Sequence, residues 1–145
     1  MIESLLLVDD EDLFHLVFED ACSILDITLT LEALNSADEA SNRFKNWFET
    51  GDKKSRPECV FVDLNMIGST FDGIELVNKI NNSYGNGVVI GIISSSSDNM
   101  EIEKAKAAGA QFWIVKSDDI EPRLERFRKD YAGYRNRTQA FTIYE

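Results

Sequence analysis

Basic residues are scarce beside acids: 15 Lys and Arg face 26 Asp and Glu, for a net charge of −11. Nucleic-acid phosphates and anionic membrane surfaces repel such a chain at long range, so direct nucleic-acid and membrane binding are not expected of it. Histidine is scarcer still. His15 stands alone, off the apolar face expected of its helix and without neighbours for metal or nucleophile chemistry, and reads as a surface residue. The two cysteines, Cys22 and Cys59, lack metal-ligand spacing and read as small buried hydrophobes, not as a disulfide. No apolar run approaches the length that crosses a bilayer. Glu3 and the acids at 9–12 leave no room for the opening of a secretory signal, so the cytoplasm is the expected compartment.

What is present is the balance of one globular domain: 145 residues, 43% hydrophobic and 28% charged, enough for a core and too short for two independent domains. The run Glu58 to Met66 organises it. Its β-branched and aromatic residues read as a strand buried on both faces, the appearance of a strand in a parallel sheet, and it ends on Asp63. Leu5–Val8, the alternating Ile27, Leu29 and Leu31, Val88–Ile93 and Phe112–Val115 supply four more strands.

Helices fall between them. The first is predicted to bury Leu13, Leu16, Val17, Ala21 and Ile24; the second opens on the Ser36 and Glu39 capping box and buries Ala37, Ala40, Phe44 and Trp47. The third is capped by Asp72 and Glu75 and carries Ile74, Val77 and Ile80. The fourth, Asp98 to Ala108, has a thin stripe of Ile102 and Ala105, and the last places Ile120, Leu124, Phe127 and Tyr131 at core spacing. The polar loop 51–57 reads as a mobile connection, and 82–87 as a turn cluster. Five strand–helix units imply right-handed crossovers and a flavodoxin-like, doubly wound α/β fold with a five-stranded parallel sheet and five helices.

With strands in the order 2-1-3-4-5, the carboxyl ends bring together Asp9, Asp10, Asp63, Ser94 and Lys116. Each feature has a plainer explanation by itself: acids at 9–12 complement a helix dipole, and the four serines at 94–97 form a capping-rich loop. Together they describe a chemistry. Three carboxylates with a main-chain carbonyl make a hard-oxygen site suited to Mg²⁺, while a hydroxyl and an ammonium suit phosphoryl oxygens.

From Leu5 to about Lys129 the sequence resembles a response-regulator receiver domain of the chemotaxis type, on Asp9-Asp10, Val-Asp63-Leu-Asn-Met, Ser94, Ala108-Gly109-Ala110 and Lys116. The resemblance implies that Asp63 is the phosphoacceptor and that Ser94 and Lys116 hold the phosphoryl group. It also implies that Asp10 binds Mg²⁺ directly, with Asp9 assisting and the Asn65 carbonyl completing the ligands. Trp113 falls at the aromatic switch position, paired with Ser94. Two prolines common in receivers are replaced, by Ser117 after the lysine and by Ile67 after the Asp-x-x-Met run, so a cis bond at Lys116–Ser117 is not implied.

The implied function is that of a single-domain receiver, residues 1–130 with an extension at 131–145, in a two-component phosphorelay. It takes a phosphoryl group from a sensor histidine kinase or histidine phosphotransfer protein and signals by protein contact. It is not an enzyme beyond promoting its own phosphorylation and dephosphorylation. The 51–57 loop, the Lys116-Ser117 pair and the aromatic tail resemble the group that includes cyanobacterial phytochrome-linked regulators, so a phytochrome-type kinase is one expected partner. A degenerate receiver acting as a phosphorylation-independent binding module is the alternative. A flavodoxin-like cofactor binder fits less well, because the first strand opens into acids that repel a flavin phosphate. The tail bears Phe141, Ile143 and Tyr144 near the arginines at 123, 126, 128, 135 and 137; the plain reading is packing on its own domain or disorder, and against it the last helix and tail are expected to help form a homodimer through the face of the fourth helix, fifth strand and fifth helix, tighter when Asp63 is phosphorylated.

Overall fold

A computed structural model describes residues 2–51, 56–84 and 87–145. Its strands are β1 (Ile2–Val8), β2 (Thr28–Leu34), β3 (Cys59–Asp63), β4 (Val89–Ser94), β5 (Phe112–Val115) and β6 (Thr142–Tyr144). They form one parallel sheet in the order β2-β1-β3-β4-β5-β6. The helices are α1 (Asp12–Leu25), α2 (Ala37–Thr50), α3 (Gly73–Tyr84), α4 (Asn99–Ala108) and α5 (Glu121–Arg135). Expected segments at 51–57 and 82–87 lie partly outside the described residues, at 52–55 and 85–86.

Strand β3 shows why the sheet is covered on both sides. Val60 and Val62 point into the core beneath α2, α3 and α4, while Cys59 and Phe61 point into the core beneath α1 and α5. Alternation with period two thus buries every residue of the strand. On the second face Phe61, Phe112 and Phe127 meet with ring centroids 4.5 to 5.1 Å apart, an aromatic cluster that pins α5 to the sheet. Gly91 makes room for it, since a Cβ there would lie 2.5 Å from the Phe112 ring. Ser36 caps α2 by accepting from Glu39 N–H, and Asp72 and Glu75 exchange the two bonds of a full capping box.

Two expectations are corrected. The sheet has six strands, not five, because residues 142–144 pair with the free edge of β5. The first helix is also turned. Phe14, Phe18, Ala21 and Cys22 face the core, whereas Leu13, Leu16 and Ile24 are 74%, 63% and 60% exposed. Two apolar stripes at helical spacing run down this helix, and burying two phenyl rings removes more apolar surface from water than burying two leucines and an isoleucine at its rim. No helix among the described residues is long and apolar enough to cross a membrane.

Candidate functional site

The carboxyl ends of β1, β3, β4 and β5 converge, and each delivers a polar side chain. Asp9 follows β1 and is fully buried; Asp63 ends β3 at 6% exposure; Ser94 ends β4 at 3%. Lys116 follows β5 and is drawn inward, its N–H donating to the Ser94 carbonyl at 2.7 Å. Its ammonium reaches 2.7 Å from Asp9 Oδ2, 2.9 Å from Glu11 Oε1 and 3.4 Å from Asp63 Oδ1, and lies 4.5 Å from the Phe14 ring centroid. The cation is thus shared among three acids.

Local backbone geometry sets the acids. Glu11 N–H donates to Asp9 Oδ1 at 2.8 Å, and Ile67 N–H donates to Asp10 Oδ2 at 3.0 Å, which ties the β3–α3 loop to the first turn after β1. A ligand oxygen from each of Asp9, Asp10, Glu11 and Asp63 falls within 4.8 Å of the others. Asp9 Oδ2 is buried, and the Lys116 ammonium 2.7 Å away is its ion-pair partner. Four clustered carboxylates, two of them buried and with one ammonium among them, present hard oxygen donors that fit a divalent cation.

The electrostatics follow from burial and crowding. Burial, then the charge of Asp9, push the Asp63 carboxyl up to about 7, against the pull of Lys116. Burial also raises Asp9, with Lys116 opposing it. Burial acts to lower Lys116, but its bonds to Asp9 and Glu11 and the charge of Asp63 outweigh this and its pKa rises. At 4 Å and an effective dielectric of 20 two like charges repel by about 4 kcal/mol, so one ammonium does not settle this many carboxylates.

The structure therefore brings together Asp9, Asp10, Asp63 and Lys116, with Ser94 at the neighbouring strand end. Asn65 is exposed in the loop after β3. Trp113 is fully buried on β5, its indole Nε1–H donating to the Ser96 carbonyl at 3.0 Å, while Ser96 N–H donates to Ser94 Oγ at 3.1 Å. Every described peptide bond is trans, Lys116–Ser117 included.

Three participants were not singled out from the sequence. Glu11 lay in the acidic run but was given no role, and it holds Lys116 from 105 residues away. His15 is half-buried, not a free surface residue: its Nε2 lies 2.6 Å from the Asp9 carbonyl oxygen, which only accepts, so Nε2 carries the proton and donates. Gly73 opens α3 against the Asp63 main chain, where a Cβ would stand 2.1 Å from the Asp63 carbonyl oxygen. A glycine in the first turn of a capped helix was its available signal, because glycine there is unfavourable unless something approaches closely.

Comparison with solved structures matches the fold to those of response regulators. The phosphorylated cyanobacterial phytochrome response regulator RcpA aligns with TM-score 0.71 and 17% identity over 97% of this chain and 98% of its own. Vibrio cholerae CheY4 aligns with TM-score 0.69 and 21% identity over 89% and 98%, and the Mn²⁺-bound form of Rcp1 with 0.68 and 16% over 90% and 92%. The Thermotoga maritima regulator DrrB is longer: the match, with TM-score 0.67 and 16% identity, covers 90% of this chain but 54% of that one. At such identities these likenesses show the shared fold alone. No curated protein matches the chain by sequence. The family model of the response regulator receiver domain, however, matches residues 5–127, and the chain belongs to that family.

Proposed function

We propose that the chain accepts a phosphoryl group on Asp63 from a phosphohistidine of a histidine kinase or phosphotransfer protein, and signals by protein contact. The observation that carries this is Asp63 itself, a buried carboxylate at a strand end with an ammonium 3.4 Å away and three further acids beside it. Asp63 acts as the carboxylate, one oxygen forming the bond to phosphorus while the phosphorus–nitrogen bond breaks and its electron pair leaves with the imidazole. Asp9, Asp10 and Asp63, with the Asn65 carbonyl, would hold Mg²⁺; when bound, the cation neutralises charge on the phosphoryl oxygens. Lys116 turns from Glu11 and Asp9 towards the phosphoryl group, and the Ser94 hydroxyl donates to it.

The mouth of the site suits a protein donor. Leu13 and Leu16 on α1 and Ile67 on the β3–α3 loop are 74%, 63% and 92% exposed beside it, apolar surface that a partner would cover. Ser94 and Trp113 form the switch: as the serine turns to the phosphoryl group, the indole leaves the Ser96 carbonyl and α4, held by little more than Ile102 and Ala105, shifts. Phytochrome-type kinases remain among the proposed donors, on the likeness to RcpA. A homodimer would use the face of α4, β5 and α5, whose β5 edge is paired with the tail in this structure, and sedimentation velocity at micromolar protein should show mass doubling on phosphorylation; an unchanged monomer would reject it.

The deciding test is intact mass after incubation with a small acyl phosphate. One phosphoryl adduct is expected, dependent on Mg²⁺ and absent in Asp63→Asn. An adduct that persists in that variant would overturn the assignment, and no adduct on any variant would favour the phosphorylation-independent module.

A further inference from the structure

Strand β6 is placed where it bears directly on Trp113. In the β5–β6 register Phe112 faces Thr142, Trp113 faces Ile143 and Ile114 faces Tyr144. In-register neighbours of a sheet project from the same face, so Ile143 stands beside the indole, and Phe141, two residues earlier, continues that face. Phe141 packs against the core cluster that contains Trp113, Ile102 and Ala105, and the Lys106 ammonium of α4 lies 5.4 Å from its ring centroid. The side of Trp113 away from the sheet centre is therefore walled by the tail.

The other face of the strand is anchored. Tyr144 is 2% exposed in the opposite core, its hydroxyl 2.7 Å from the Tyr134 hydroxyl and 2.6 Å from Asp130 Oδ2, both on α5. Arg126, also on α5, donates to the Glu145 carbonyl at 2.7 Å. One face of a three-residue strand thus grips α5 while the other backs the indole. From Trp113 the contacts continue through Nε1–H to the Ser96 carbonyl, and through Ser96 N–H to Ser94 Oγ at the phosphoryl end of the site. The path from tail to site is made of a few contiguous contacts.

We propose that the C-terminal strand is a built-in brace on the switch: Phe141 and Ile143 hold Trp113 inward, and the indole leaves its pocket only as β6 slackens. Resting on the switch proposed above, it adds that the tail sets how readily that switch moves. Coupling is reciprocal: what loosens the tail favours the outward indole and phosphorylation, and phosphorylation loosens the tail by the same factor. The tail is then an intramolecular occupant of the β5 edge, released in the signalling state.

The test uses the full-length chain with Trp47→Phe, leaving Trp113 as the single tryptophan. Phe141→Ala with Ile143→Ala removes the wall, Phe141→Leu with Ile143→Val restores most of it, and Tyr144→Phe removes the hydroxyl anchor but keeps the ring. Well below the unfolding transition, acrylamide access to Trp113 should rise about fivefold or more in the double alanine variant, less in Tyr144→Phe, and little in the conservative pair. Amide exchange at 142–144 should quicken on phosphorylation, in the protein with an adduct proved by mass and not in Asp63→Asn. A tail that merely stabilises the domain would lower the melting temperature while leaving quencher access and phosphorylation-dependent exchange unmoved, and that result overturns the brace. Should no adduct form on any variant, the phosphoacceptor proposal fails by mass alone, and quencher access in the unphosphorylated chain decides whether the tail holds the indole.

Discussion

Replacing Asp63 by Asn should make the metal-free protein more stable, although it removes half of an ion pair. In the folded chain the Asp63 carboxyl is pushed from its ordinary 3.8 up to about 7, chiefly by burial and then by the charge of Asp9. At about 1.36 kcal/mol for each tenfold change in proton affinity, keeping this group ionised in the fold costs about 4 kcal/mol at a pH above both values. The asparagine amide is spared that cost, and its imperfect fit beside Lys116 returns part of it, so the net gain should be about 2 to 4 kcal/mol. The sign with pH follows from proton uptake. Between about 4 and 7 the folded carboxyl keeps a proton that the unfolded one has lost, so wild-type stability falls as pH rises through that window and the full penalty is present above it.

Urea unfolding in chelator at pH 8 should therefore place the Asp63→Asn midpoint about 1 to 2 M above wild type, and the two should converge towards pH 4. Mg²⁺ should narrow the gap from the other side, because a ligand at a hundred times its dissociation constant stabilises the wild type by about 2.7 kcal/mol and the variant has lost one of the proposed ligands. Equal midpoints at pH 8, or a difference that does not shrink on acidification, would refute the claim that burial and like charge strain this carboxylate.

The rotation of α1 predicts that Phe18→Ala costs about 3 to 5 kcal/mol, whereas Leu16→Ala stays within about 0.5 kcal/mol, the reverse of what the leucine stripe alone implies; chemical denaturation of the two variants decides it. Gly73→Ala drives a Cβ against the Asp63 carbonyl, and should cost about 1 to 3 kcal/mol and slow acyl-phosphate labelling tenfold or more; unchanged labelling would mean the close approach does not position Asp63. Lys116→Met leaves Asp9 and Asp63 buried without their counter-ion, and should lower stability in chelator at pH 8 by about 3 to 5 kcal/mol with partial recovery on adding Mg²⁺, both read from urea midpoints.

Much of the architecture is written locally. Strands β3 and β4 are unbroken apolar runs, each ending on one polar residue, because a parallel strand covered on both faces has no solvent side to mark with polar positions. The caps at Ser36 and Asp72 start their helices by hydrogen bonds that span three residues. Strand–helix alternation leaves one handedness of crossover, and that brings the ends carrying Asp9, Asp63, Ser94 and Lys116 to one side of the sheet. These features depend on neighbours in sequence or on chirality, and both can be read from the chain.

Other features needed the partner across the fold. Helix α1 carries two apolar stripes at the same period, and periodicity ranks neither; the sheet took the phenyl rings, which offered the larger area to bury. His15 acquired its role only when β1 delivered the Asp9 carbonyl to within 2.6 Å, and Glu11 when Lys116 arrived from the far end of the chain. Strand β6 is three residues long, too short for any period to announce it. It exists because β5 offers an open edge of backbone donors and acceptors, and because Tyr134 and Asp130 provide a buried partner for one tyrosine hydroxyl.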